Sequence, residues 1–336
     1  MSKTIRISVI IPVFNSQDYL SKCIDSLIDE LDVGDEIILV DDGSTDNSGE
    51  ICCNYSNRYP DIITVIHQKN EGPFIARING FRHARGDYLI AIDSDDMFEC
   101  GGLSVITSAI METKSDVLIW GYSSKGSEQI ERAKINCVHK KRLTKDEAIL
   151  ELCTTYKHNP MWSKAVKRCC AALDEDYSAY KGMTACEDFL QTLFVFDRAE
   201  EFWQIDEPLY FYRQNPKSIT HGRYKESHFN DTLTATRVGL TYACRWENEF
   251  GIEGLRAGII SRGLVSQINY ARELALSGAR SRWIELSKTS ITDDFSLFKN
   301  AADSLGLLKR LELRMLQHCL YYPHRLISIL LNHLKF

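Results

Sequence analysis

Four short clusters in the sequence have residue types and spacings suited to chemistry. Asp93 and Asp95 stand two apart in Asp93-Ser94-Asp95-Asp96, directly after an apolar run over 87–92. Two such carboxylates can face one hard cation. Mg2+ or Mn2+ takes few protein carboxylates and completes its shell with water and phosphate oxygens. Such an ion would neutralise the charge that builds up as a diphosphate departs. The same four residues also suit a solvated acidic turn. Asp41-Asp42-Gly43-Ser44 follows the apolar run 36–40. It reads either as a turn leading into a helix cap or as a rim pocket whose carboxylate accepts the imide N–H of a uracil. Arg77, five residues past Gly72, is suited to neutralising phosphates or to a place on the surface. Glu187-Asp188 open an apolar helical stretch. Transfer to a hydroxyl needs a base, and acids at a helix start also complement its dipole.

The elements that must position these residues alternate. Residues 5–11, 36–40, 62–66, 87–92 and 117–120 read as strands, near-continuously apolar and hence buried on both faces. Between them, apolar positions Leu20, Cys23, Ile24, Leu27, Ile28 and Leu31 recur at helical spacing behind Ser16, read as the cap. Two further helices carry Ile51 with Tyr55 and span 74–84. Alternating strands and helices imply an α/β fold with a mostly parallel sheet flanked by helices. Ligands of such sheets bind beyond the carboxyl ends of the strands, where Pro12-Val13-Phe14-Asn15, Asp41-Asp42 and Asp93 to Asp96 fall. Further on, 123–132 reads as an exposed hairpin or loop, 145–155 and 186–196 as helices, and 202–212 as a strand with a turn at Pro208. From 226 onward the pattern is mainly helical.

Composition narrows the field. The chain has 336 residues, 44% hydrophobic and 26% charged, with a formal net charge of −6. These values suit a packed globular protein and give no general drive toward nucleic acid. Eleven cysteines, with two adjacent pairs and no Cys-x-x-Cys, read as reduced, mostly buried thiols of a cytoplasmic protein. Residues 7–14 are too short and too polar in their flanks for a signal peptide, and no run reaches the ~20 apolar residues of a spanning helix. A Gly-x-Gly-x-x-Gly after the first strand is missing, which argues against a dinucleotide-dependent oxidoreductase. The first loop lacks the glycines and lysine expected of a sugar nucleotidyltransferase.

In combination, the motifs resemble the nucleotide-sugar-binding half of a family 2 glycosyltransferase. The matching stretches are Ser8 to Asn15, Leu39 to Asp46, Asn70-Glu71-Gly72, Ala76-Arg77, Gly80, Ala84 to Tyr88 and Asp93 to Asp96. Cys186 to Leu190, Asp206 to Arg213 and Ser218 to Thr220 are similar to the family's acceptor-side segments. The resemblance implies a GT-A fold over residues 1–225, with a nucleotide-binding half at 1–100, an acceptor half at 101–225 and a helical region at 226–336. It implies a metal-dependent inverting transfer from a UDP-sugar to a saccharide or lipid-linked saccharide. Pro12 and Phe14 would line the base pocket, Asp42 would bind uracil and Asp41 would support its loop. Arg77 and Ser94 would sit by the nucleotide, Asp95 would be the main metal ligand, and Asp93 would hold ribose or metal. Asp188 would be the base with Glu187 beside it, and Arg213 and Ser218 would touch the diphosphate. Pro73-Phe74-Ile75 and Ile78 depart from the family pattern close to the donor pocket. An inactive nucleotide-binding relative is the alternative, against which the full set of acidic residues speaks.

The tail has its own pattern. Leu308, Leu311, Met315, Cys319 and Tyr322 form one helical stripe amid basic residues. That stripe suits an interfacial helix on an anionic membrane, or a helix packed against the body or a second subunit.

Overall fold

The computed structural model describes residues 5–124, 138–155, 157–215 and 223–333. Its contacts group into two units, one of 1–149, 157–183 and 187–218, the other of 150–156, 184–186 and 219–336.

The first unit opens with alternating elements. β1 (Ile7–Val13), α1 (Leu20–Ile28), β2 (Glu36–Asp41), α2 (Ser48–Arg58), β3 (Ile63–His67), α3 (Pro73–His83) and β4 (Tyr88–Ala91) run in that order. β1, β2 and β4 are buried almost throughout, which is why their sequences read as unbroken apolar runs. Ser16 does not cap α1 with its side chain; the cap position is Tyr19, and the Ser16 hydroxyl turns to Phe14 O and Ser94. β5 (Met97–Phe98), α4 (Gly102–Thr113), β6 (Val117–Ser123), β7 (Lys140–Leu143), α5 (Lys145–Thr154), β8 (Lys164–Lys167), α6 (Glu187–Arg198) and β9 (Phe202–Phe211) follow.

The nine strands of the described residues share one sheet, ordered β3-β2-β1-β4-β8-β6-β9-β5, with β7 on β9. The β3-β2-β1-β4 half is parallel. Beyond it, β8 inserts antiparallel to both β4 and β6, and β6 pairs with β9 in parallel again, so short antiparallel ladders interrupt a sheet whose longer ladders are parallel. The insertion was invisible in the sequence because only Ala165 and Val166 separate two lysines. No turn forms at Pro208. β9 runs straight through, and the surplus is taken up as a bulge, where Trp120 pairs with Ile205 but Gly121 pairs with Pro208. Proline has no ladder donor to lose there. A Cβ at Gly121 would lie 2.8 Å from Asp206 O.

The second unit is helical: α7 (Glu226–Phe250), α8 (Leu255–Ser277), α9 (Arg280–Ser287), α10 (Phe295–Asp303), α11 (Leu307–Gln317) and α12 (Tyr321–His333). Its core gathers Ile260, Leu264, Ile268, Leu274, Trp283 and Leu316. The continuous tail stripe expected from the sequence does not exist. Cys319 takes a positive φ of 53° and divides α11 from α12. Met315 is buried while Leu308, Leu311, Cys319 and Tyr322 are exposed.

Ten cysteines are described and all are free thiols. Four are buried and five exposed, against the expectation of mostly buried thiols. In both adjacent pairs one neighbour points in and the other out. The hairpin or loop read over 123–132 lies almost wholly outside the described residues.

Candidate active site

Strand register gathers the chemistry-bearing ends. Val13 pairs with Asp41, Asp41 with His67, and Ile10 with Ala91. The loops after β1, β2, β3 and β4 therefore leave the sheet at one rim, where α/β sheets bind ligands.

The β2 loop is built from within. Asp42 is buried, and its Oδ1 accepts from Gln68 Nε2 at 2.7 Å and Glu71 N at 2.8 Å. Its Oδ2 accepts from Gly72 N at 2.9 Å. Burial raises the Asp42 pKa, and these hydrogen bonds oppose the rise. A carboxylate offers about four acceptor positions, so roughly one remains for a ligand. Asp41 Oδ1 accepts from Ser44 N at 3.0 Å, and Oδ2 lies 2.9 Å from His67 Nδ1. Asn15 takes a positive φ of 51°, which asparagine tolerates, and its Oδ1 accepts from Thr45 N at 2.8 Å. That bond ties the β1 loop to the β2 loop.

The β4 loop is held by the end of β9. Tyr210 donates to Asp96 Oδ2 at 2.8 Å and accepts from Asp93 N at 3.2 Å. Arg213 N donates to Asp96 Oδ1, and Arg213 Nε donates to Asp95 O, both at 2.8 Å. Asn215 Nδ2 donates to Asp95 Oδ2 at 3.0 Å. The Arg213 guanidinium stacks over Tyr19, 5.3 Å from the ring centre. Its Nη2 is buried with no hydrogen-bond acceptor among the described residues. A phosphate oxygen is the kind of group that would satisfy it.

Arg77 is no surface residue. It is buried under α6, with Nη1 2.7 Å from Asp188 Oδ1 and Nη2 3.9 Å from Asp93 Oδ1. Nη1 also donates to Gln191 Oε1 at 2.9 Å. Burial works against the Arg77 charge, but Asp188, Asp93 and Glu187 more than offset it and raise its pKa. Asp188 and Glu187 lie in the first turn of α6, the positive end of its dipole. Asp188 Oδ2 accepts from Met161 N at 3.3 Å. The 158–161 loop is gripped by Lys164, whose buried ammonium donates to His158 O at 3.0 Å, to Pro160 O and to Thr192 Oγ1. Burial pulls the Lys164 pKa down to about 7, with Asp188 acting the other way.

Arg77 thus joins Asp93 and Asp188, while Arg213 and Asn215 join Asp95 and Asp96. Ser94 is buried with its hydroxyl on Ser16 at 2.6 Å. Pro12 is half-buried and Phe14 exposed on the β1 loop. Ser218 lies outside the described residues. Phe74 and Ile78 are core residues and do not line an open pocket; Phe74 packs on Tyr177 and Tyr180 at 5.2 and 5.4 Å. Gln191, Lys164, Tyr210 and Asn215 were not singled out from the sequence. For Gln191 the signal was its place one turn beyond Asp188 on an otherwise apolar face. Tyr210 and Asn215 flank the Arg213 that was singled out.

The donor set suits a hard divalent ion. Burial raises the Asp93 pKa well above the ordinary range, Arg77 opposes it, and Asp188, Asp96 and Asp95 add to it. Four carboxylates thus crowd two arginines, an excess of negative charge carried by oxygen ligands. Among the described residues no three His, Cys, Asp or Glu side chains converge closely enough to hold a metal alone. One or two carboxylates, completed by phosphate and water, are what Mg2+ or Mn2+ takes.

A parallel half-sheet with an acidic rim, continued by a mixed second half, is the GT-A type of α/β fold. Residues 8–169 match the model of Glycosyl transferase family 2. The chain is 31% identical over 255 residues to the uncharacterized glycosyltransferase EpsJ of Bacillus subtilis, covering 71% of this chain and 72% of that protein. It is 35% identical over 117 residues to the poly(ribitol-phosphate) beta-glucosyltransferase of Bacillus spizizenii, covering 34% of this chain and 18% of that one. Among solved structures, residues 1–349 of Staphylococcus aureus TarS in complex with UDP-GlcNAc superpose with a TM-score of 0.59 at 17% identity, over 98% of this chain and 92% of that one. The mannosyltransferase PcManGT of Pyrobaculum calidifontis, in complex with GDP-Man and Mn2+, gives 0.51 at 14% identity, over 98% and 88%. These structural likenesses are of fold. The chain belongs to glycosyltransferase family 2 and is a glycosyltransferase.

Proposed function

We propose that this glycosyltransferase inverts the anomeric centre, moving a sugar from a UDP-sugar to an acceptor hydroxyl in the cytoplasm. The acceptor class is a saccharide or lipid-linked saccharide of a bacterial surface polymer. The reading is supported by relatives of teichoic-acid type and by the UDP-GlcNAc complex of TarS. Residues 1–100 form the nucleotide-binding half, 101–225 the acceptor half and 226–336 a helical region.

One observation carries the assignment of roles: the buried Arg77 spans Asp93 and Asp188. It couples the acid that faces the diphosphate to the acid that faces the acceptor. Asp188 takes the acceptor proton, with Arg77 and the Met161 amide fixing its two oxygens and Glu187 beside it. The acceptor oxygen then attacks the anomeric carbon opposite the nucleotide. Asp42 takes the single N–H donor of uracil, Asp41 holds that loop, and Pro12, Phe14 and Ser94 flank the base and ribose. Asp95 and Asp93 would hold Mn2+ or Mg2+, which supplies charge neutralisation at the leaving diphosphate. Arg213 Nη2 faces the same phosphates, with Ser218 on the segment after it. Holding both substrates in line supplies a large part of the rate.

The test is Asp188→Asn with a panel of nucleotide sugars, with and without chelator. Transfer falls by about 10²–10⁴ while UDP binding, read by calorimetry, persists. Unchanged turnover in Asp188→Asn removes Asp188 from the base role, and full activity in EDTA removes the metal.

A further inference from the structure

We propose that the α11–α12 helix pair is a seat for an anionic lipid surface. The inference is independent of the donor and base assignments above. The observation behind it is the outer face of α12. The helix buries Tyr321, His324 and Ser328 and presents Tyr322 at 64% exposure, Leu326 at 60% and Leu330 at 54% to solvent. An ordinary surface helix keeps such leucines on its inner face. α11 adds Leu307 at 79%, with Leu308 and Leu311 beside it. Leu320, between the helices, is also exposed. Single exposed leucines need no explanation, but a concentration of them does. Only five other large apolar side chains are exposed among the described residues.

Charge selects the occupant. Between 304 and 333 the chain carries Lys309, Arg310, Arg314 and Arg325 and one acid, Glu312. Glu312 is fully buried and paired with Arg272, 2.5 Å from both Nε and Nη2. Arg314 is exposed and Lys309, Arg310 and Arg325 are half-buried, so the charge beside these leucines is positive and no acid on the segment offsets it. A second copy docked through the same face by two-fold symmetry would set these cations against themselves. A bilayer rich in anionic headgroups meets both features at once: leucines enter the acyl boundary and basic side chains reach phosphates. No described helix is long and apolar enough to cross a membrane, so the contact is peripheral.

The test uses the full chain with vesicles of phosphatidylcholine alone and of phosphatidylcholine with phosphatidylglycerol. The parent should sediment with the anionic vesicles and come off as salt rises. Leu326→Glu/Leu330→Glu, at exposed positions, should abolish sedimentation while leaving the melting temperature unchanged. Arg314→Gln/Arg325→Gln should weaken partition about 25-fold, roughly five-fold for each cation. Equal sedimentation of parent and variants overturns the proposal, as does equal binding to both vesicle types. So does a dimer, seen by analytical ultracentrifugation, that the Glu variant dissolves while the parent ignores vesicles.

Discussion

Arg77 and Asp188 approach to 2.7 Å across the α3–α6 contact, and the same guanidinium reaches to 3.9 Å from Asp93. Removing the cation leaves two partly buried acids facing one another. Arg77→Met should cost on the order of 3 kcal/mol in urea unfolding, because a broken buried pair leaves uncompensated charge. Arg77→Lys should keep most of that stability and still lose turnover, since a point charge cannot hold both acids in a fork. Wild-type turnover in Arg77→Lys would show that the fork geometry has no bearing on the reaction.

The Tyr210 hydroxyl is the fastening of the 93–96 loop. Tyr210→Phe strands a buried Asp96 oxygen and should cost about 1–3 kcal/mol. Its larger effect should be on turnover, because the loop carries Asp93 and Asp95, the carboxylates proposed to hold the metal. An unchanged melting curve together with unchanged turnover would mean that Arg213 alone secures the loop.

Gly80 is a contact point between α3 and the sheet. A Cβ there would lie 2.4 Å from Ile10 Cγ2 and 3.1 Å from Val40 Cγ2. Gly80→Ala should push out the helix that bears Arg77 and destabilise by about 1–3 kcal/mol. The companion Gly306→Ala, with nothing within 4 Å, should leave the melting temperature nearly unchanged.

A pH dependence resides in the second unit. His324 is fully buried, and its Nδ1 accepts from Trp283 Nε1 at 3.3 Å, which places its proton on Nε2 facing Glu312 at 3.8 Å. Burial lowers its pKa to about 4, with Glu312 opposing. The folded pKa lies below the unfolded value near 6.5, so above that pH both states are neutral and nothing is lost. As pH falls from about 6.5 to 4, the unfolded chain binds a proton that the folded one refuses. Stability should drop by on the order of 3 kcal/mol across this window. His324→Gln should flatten that part of the denaturation-versus-pH curve, and an unaltered slope would place the titration elsewhere.

The sequence disclosed what local pattern controls. The apolar runs of β1, β2 and β4 declared themselves because both of their faces are covered. Asp42 and Asp95 stood out as acids directly after apolar runs, and Asp188 through the resemblance of Cys186 to Leu190 to a family segment. Lys164 did not stand out, since nothing local says that a lysine will be buried and bonded to two carbonyls. β8 was missed for the same reason: its place between β4 and β6 is a tertiary choice that overrides weak propensity. The tail's apolar periodicity suits one helix, but the chain divides there into α11 and α12. The backbone reversal at Cys319 and the inward turn of His324 are set by packing on α8 and α9, which periodicity does not encode.

The bulge between β6 and β9 has an arithmetical consequence. Past Trp120 and Ile205, β9 advances six residues to Phe211 while β6 advances three to Ser123. Side chains alternate faces along a strand, so the hydroxyl of Tyr210 reaches Asp96 only for one parity of that surplus. Losing one residue from 206–209 should turn Tyr210 to the opposite face. A change of two should keep its direction, so length variation in this stretch of β9 should be tolerated in even steps.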